Sequence, residues 1–189
     1  MFAWLKARAS HRTRAAEIYG AVVTAARNPR YYSDFSVPDT PEGRFEMVAL
    51  MQFLVLERVK RVMPGGMDLA QGAIEAFVTD MDDCLREMGV GDLTVPKKVK
   101  RAAAAFYERA GMYRAGLAEG ARGEQGQSCE IDGSLAGALG NAIYGNENSA
   151  AASGLACLVA RQATALAAAD DETVLNGKAL VALLDGAAA

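Results

Sequence analysis

The sequence predicts an all-α fold in a single multi-helix domain of about six to seven helices. Three observations carry this. No stretch keeps up the apolar–polar alternation of a half-buried strand. Ala is abundant while Ile and Thr are scarce, which favours helix over strand. Apolar residues recur at helical spacing between Pro, Gly and capping residues. At 189 residues, with 51% hydrophobic and 23% charged residues, the chain is long and apolar enough to close a core.

Each element follows from local signals. A first helix over 13–27 has Ile18, Val22 and Ala25–Ala26 on one face and stops at Asn28-Pro29. Asn28 as N-cap with Pro29 at N1 starts a short helix through Tyr31 and Tyr32. Val37-Pro38-Asp39 is a linker. Thr40-Pro41 caps and opens the second long helix, expected to run to Met63 and stop at Pro64-Gly65-Gly66. Its residues 45–56 are apolar on nearly every face, so it belongs at the centre of the bundle. Asp68-x-x-Gln71 reads as a capping box opening the third helix, whose stripe is Leu69, Ala73, Ala76–Phe77, Met81, Cys84–Leu85 and Met88, with Gly89 at C′. The fourth helix runs from Val95-Pro96 to about Glu119. Its seam is Val99, Ala103, Phe106, Ala110, Tyr113 and Leu117, spaced by fours and threes as in a lengthwise helix contact.

Residues 120–133 are Gly-rich and read as a mobile loop. The composition then shifts. Residues 123–189 hold 18 Ala and two basic residues against eight acids. Helices are expected near 133–144, 149–168 and 171–184. The domain reading is a helical region over 1–122 with a basic N-terminal tail, and an Ala-rich acidic extension over 123–189 packed on the same domain.

Several function classes drop out. Twenty basic against 23 acidic residues exclude a protein that coats DNA by overall basicity. A single His excludes His-built metal cages. Cys84, Cys129 and Cys157 form no CxxC and read as small apolar residues in a reduced compartment. The apolar run Phe45–Leu56, which contains Glu46 and Gln52, is far below the ~20 residues of a spanning helix. Gly89-Val90-Gly91 lacks a third Gly and a preceding strand, and Asn176-Gly177-Lys178-Ala179 lacks the Ser/Thr of a P-loop. His11 has no acid beside it. No catalytic residue, metal site or cofactor is assigned. Residues 1–30 carry six Lys/Arg against Glu17 alone. That reads as a solvated basic tail or a contact with anionic headgroups.

Two charge clusters stand out. Asp80, Asp83 and Glu87 share one face of the third helix at i, i+3, i+7, a solvated face or an incomplete oxygen set for a metal. Asp82 and Arg86 form an i,i+4 pair. Lys97, Lys98, Lys100 and Arg101 fill the first turns of the fourth helix, where the helix dipole disfavours cations. Either the acidic face of the third helix neutralises them across the intervening turn, or an anionic partner does. Met47, Met51, Met63, Met67, Met81 and Met88 read mostly as core, although methionine surfaces also accommodate varied apolar clients.

Three stretches carry a family resemblance. They are Tyr19-Gly20-x-x-Val23 with Arg27-x-Pro29-x-Tyr31-Tyr32; Pro38-Asp39-Thr40-x-x-Gly43-Arg44-Phe45-Glu46; and residues 80–93 from Asp80-Met81-Asp82 through Leu85-Arg86-Glu87-Met88-Gly89-Val90-Gly91-Asp92-Leu93, with Val95-Pro96-Lys97-Lys98-Val99-Lys100 and Ala105-Phe106-Tyr107. Over about residues 15–117 the chain resembles the ubiquinol–cytochrome c chaperone family of mitochondria and related bacteria. The resemblance implies an all-helical, non-enzymatic protein that binds newly made cytochrome b and helps assemble the cytochrome bc complex. It further implies a ribosome contact near the tunnel exit and a small partner protein; peripheral contact with an anionic membrane is expected only from the basic residues 1–30. With no mitochondrial-type presequence, the expected location is the bacterial cytoplasm, peripheral to the inner membrane. The expected partner-binding residues are Arg44, Asp80, Asp82, Arg86, Glu87, Lys97, Lys98, Lys100 and Arg101. The alternative is a helical lipid- or quinone-binding module with a deep apolar cavity.

Overall fold

A computed structural model describes residues 2–120, 133–146 and 149–187. These residues fold as α1 (Phe2–Ala26), α2 (Arg30–Ser33), α3 (Pro41–Val59), α4 (Gly66–Glu87), α5 (Val95–Gly120), α6 (Gly133–Leu139), a π-helical turn (Gly140–Tyr144), α7 (Ala150–Ala168), α8 (Asp171–Leu175) and α9 (Gly177–Ala187). The described residues contain no strand. Setting aside the short α2 and α8, the count agrees with the expected six to seven.

α3 is the axis of the bundle. Thr40 Oγ1 accepts the Gly43 N–H at 3.1 Å, and Pro41 fills the first helical position, as the sequence predicts. Every residue from Ala49 to Leu56 is buried. α1, α4, α5, α7, α8 and the π turn all pack against α3. The helix ends at Val59, not Met63, because the chain turns back at 60–65. α4 opens at Gly66 behind Gly65 in the left-handed region (φ 90°), so Asp68 lies in its first turn and is not its cap. A Cβ on Gly66 would lie 2.3 Å from the Val59 carbonyl oxygen, so this reversal requires a glycine.

Phe77 of α4 is the centre of an aromatic cluster. Phe45 stacks on it at 5.9 Å, Phe106 tilts against it at 5.3 Å and Tyr19 at 6.2 Å, which joins α3, α5 and α1 in one contact. Leu56, Phe77, Phe106 and Tyr113 are buried in one core, with Phe45 and Val48 partly buried against it. Leu85 departs from expectation. It is only half-buried and stands outside that core, because α4 has by then run past the packed length of α3. Met47, Met51 and Met81 are core, but Met63, Met67 and Met88 are exposed on or beside the turns that bracket α4.

The Ala-rich segment packs on the rest of the bundle. α6 lies against α5 so closely that a Cβ on Gly116 would come within 2.8 Å of Leu135. α9 packs on α1 and α7, and α7 on α3. Polar contacts fix the seam: Gln162 Nε2 donates to the Tyr31 hydroxyl at 2.8 Å and Asn28 Nδ2 to Asp185 at 2.8 Å. Arg58, at the end of α3, donates to the carbonyls of Leu166 and Ala169 and pairs with Asp171 at 2.6 Å, capping the C-terminus of α7. The single helix expected over 171–184 is two. Asn176 is extended there and its Oδ1 accepts from the Lys178 and Ala179 amides, a new N-cap. α7 is long and apolar enough by composition to cross a membrane, unlike the shorter run the sequence reading singled out. Its face bearing Leu155, Leu158, Val159, Gln162 and Leu166 is buried in the bundle. Cys84 is a free, exposed thiol, and Cys157 is disulfide-bonded, so the expectation of three reduced apolar cysteines does not hold. The loop expected over 123–132 lies outside the described residues.

Phe106 is 4% exposed and sits against Phe77. Phe106→Ala should destabilise the protein by about 3–5 kcal/mol, read from chemical denaturation. A loss under about 1 kcal/mol would mean the site collapses or is not core.

Candidate functional site

The α4–α5 turn is built by local rules. Gly89 is left-handed (φ 77°); its amide donates to the Arg86 carbonyl, and the Val90 amide to that of Leu85 at 3.0 Å, a Schellman closure. The Thr94 and Val95 amides return to Gly91 O, and buried Val95 opens α5. Arg86 straddles the turn. It donates to Asp82 at 2.5 Å and also pairs with Asp92, so the end of α4 is tied to the loop. Both partners hold the Arg86 guanidinium above its ordinary pKa, with the Asp82 hydrogen bond first.

The acidic face of α4 turns toward α1. Tyr19 donates to Asp80 at 2.6 Å, and burial together with that bond pushes the Tyr19 hydroxyl well up. Asp83 and Glu87 share that face and are exposed. Cys84 sits among these acids, and its thiol is raised first by partial burial and then by Asp80, Glu87 and Asp83, which disfavours thiolate.

Lys97, Lys98, Lys100 and Arg101 are all exposed, and among the described residues none forms an ion pair. Pairing across the turn is therefore not how this charge is met: the side of α4 that meets α5 carries Phe77, while the acids point elsewhere. Arg44 stands apart from the set, in an exposed pair with Asp39 at 2.6 Å on the first turn of α3. The structure thus links Asp82 and Arg86, attaches Asp80 to α1, and leaves Glu87 and the four α5 cations open to solvent.

The sequence reading missed the rest of this surface. Below the cations, the outward side of α5 exposes Ala104, Tyr107, Glu108, Gly111, Met112 and Ala115. Tyr107 is 58% exposed and Leu93, at the turn, 90%. A Cβ on Gly111 would meet nothing within 4 Å, so the backbone itself is open to an approaching partner. The seam of α5 held the signal, since residues between seam positions face away from it.

Two charge pairs lock α5 onto α3 and so aim this face outward. Arg114 holds Glu57 at 2.9 Å, lies over the Phe53 ring at 5.9 Å, and with Lys60 lowers the Glu57 carboxyl to about 2. Arg109 reaches Glu46 at 3.0 Å. Here burial outweighs the guanidinium, and the Glu46 carboxyl is pushed up to about 7. Glu46 Oε2 and the Tyr113 hydroxyl lie buried without a hydrogen-bond partner among the described residues. Among the same residues no group of three or more His, Cys, Asp or Glu is placed to hold a metal ion.

Comparison with known proteins places this architecture. The sequence profile of the ubiquinol-cytochrome C chaperone family matches residues 33–182, which extends the resemblance through the Ala-rich segment. Among solved structures, the crystal structure of the Cbp3 homolog from Brucella abortus superposes with a TM-score of 0.75 at 36% identity, covering 94% of each chain. No curated protein matches.

Because the ionised Glu46 is the form the fold disfavours, stability should fall as pH rises from the unfolded carboxyl's 4.5 toward about 7, and level off above. Glu46→Gln removes that loss. Relative to wild type it should gain stability at pH 8 compared with pH 5, measured by urea melts at both. A difference independent of pH would show that Glu46 titrates normally.

Proposed function

Since the chain belongs to the ubiquinol-cytochrome C chaperone family, we propose that it is a non-enzymatic assembly chaperone of the ubiquinol–cytochrome c reductase complex whose client is newly made cytochrome b. The observation that supports this is the outward side of α5. Four cations, unpaired among the described residues, crown a helix face of small residues that carries one exposed acid, Glu108, and is flanked by Tyr107 and Met112. Small residues let a second helix approach closely, as helices of membrane proteins do. The exposed thioether and the phenol ring give adaptable apolar contact. Lys97, Lys98, Lys100 and Arg101 then meet an anionic segment of the client or its surroundings, including ribosomal RNA near the tunnel exit. Asp82 and Arg86 hold the turn that presents them. Asp80 sets the turn against α1 and Glu87 stands exposed beside it, while Arg44, paired with Asp39, lies outside this surface. The reading needs no cofactor and places the protein on the cytoplasmic side of the membrane.

The lipid- or quinone-module alternative gains nothing from the open groove between α1 and α8–α9. Arg14, Glu17, Glu172 and Lys178 line it, too much charge for an isoprenoid tail.

Replacing Lys97, Lys98 and Lys100 together by Glu tests the surface. Since these cations have no partner among the described residues and sit where the helix dipole prefers acids, the triple variant should be folded, even more stable by about a few tenths of a kcal/mol per site. Assembly of the bc complex in cells carrying it should be lost. Normal assembly would mean the cations are only a solvated helix end.

A further inference from the structure

At the far end of α4 the α3–α4 turn has a different character. Met63 is 79% exposed and Met67 65%, although both belong to a bundle that buries Met47 and Met51 completely. The His11 ring of α1 packs against Gly65 in this turn, so α1 reaches the same end of the molecule. Arg12 and Arg61 are exposed there and Lys60 is half-exposed. Arg14 is exposed one turn along, on the groove side. The acids of the turn are Asp68 and Glu57, and Glu57 is already held by Arg114 and Lys60. α1 begins at Phe2, and its sequence adds Lys6 and Arg8 with no acid before Glu17.

We propose that this end, the α3–α4 turn with the adjoining part of α1, docks on an anionic lipid bilayer, with Met63 and Met67 in the headgroup–acyl boundary and Arg12 and Arg61 on the headgroups. Charge complementarity and the thioethers together select this occupant. Cations alone would serve any polyanion, but an RNA backbone gains nothing from two exposed methionines, whereas an interface buries them. Apart from the His11 imidazole, which lies against Gly65, no aromatic ring is exposed among the side chains described at this end to stack a base. α4 is 22 residues long, so at ~1.5 Å per residue it separates this end from the α4–α5 turn by roughly 33 Å. The four α5 cations thus stand clear of a membrane at this end, while the Met112 end of α5, held to Glu57 through Arg114, lies toward it.

The full-length chain is mixed with vesicles of phosphatidylcholine, alone or with about 30% phosphatidylglycerol, and floated through a density gradient. It should float with the anionic vesicles only, and less as salt rises. The Met63→Asp/Met67→Asp variant and the Arg12→Glu/Arg61→Glu variant should each bind roughly tenfold more weakly or worse, with unchanged thermal melts. Met63→Trp in a Trp4→Phe background should shift to the blue on anionic vesicles and be quenched by brominated acyl chains. The Lys97/Lys98/Lys100 triple Glu variant should float as wild type, which separates this proposal from the α5 surface. Equal flotation on neutral vesicles, no flotation, or wild-type affinity in the Met double variant overturns it. So does an RNA of equal phosphate content that strips the protein from vesicles yet binds the Met double variant equally well.

Discussion

A helix that is apolar all round must be enclosed on every side, and α3 is such a helix. Its eight consecutive buried residues from Ala49 to Leu56 leave no solvent face, so α1, α4, α5 and α7 are arranged to surround it. One consequence is that the Ala-rich segment is part of the fold. Helices α1, α4 and α5 cover only part of α3, and α7 and α8 cover another part. Alanine suits that role: it buries little area but lets helix axes approach, as at Gly116 and Leu135. The family profile, which runs to residue 182, is consistent with this.

Charge is used in the interior only where it fixes one helix against another. Arg58 leaves the end of α3 to bind the exposed carbonyls of α7, so the last turn of one helix caps another. Glu57–Arg114 and Glu46–Arg109 set the rotation of α5 about α3, with opposite energetic character. The first stays open enough to keep its carboxylate stable, while the second is buried enough to be costly when ionised. Once α5 is held by these pairs and by Phe106 and Tyr113, its other side must face outward.

That leftover face and the two turns bracketing α4 hold what the core does not use. The α4–α5 end has mixed charge, with its acids turned to α1 and its cations free. The α3–α4 end is cationic and carries exposed methionine. On the readings proposed above, the first would meet the client and the second the bilayer. Helices running the length of the bundle put the four α5 cations at the end opposite the α3–α4 turn, while the Met112 end of α5 lies toward that turn.

What the residues alone determined is the part governed by contacts a few positions apart. The Thr40-Pro41 start of α3, the left-handed Gly89, the α5 seam and the central place of α3 all follow from capping, backbone sterics and helical period. The resemblance around Asp80–Val99 likewise pointed to the family. Tertiary structure alone decided the rest. Asp68 lost its capping role because Gly65-Gly66 turns tightly under Val59. The helix expected over 171–184 broke because Asn176 caps α9. Leu85 fell outside the core because α4 outruns α3. The α5 cations stayed unpaired among the described residues, with Asp80 bonded to Tyr19 and Asp82 held by Arg86. In each case the partner lies far along the chain, and which residue it meets depends on the rotation and length of a packed helix, quantities no local pattern encodes.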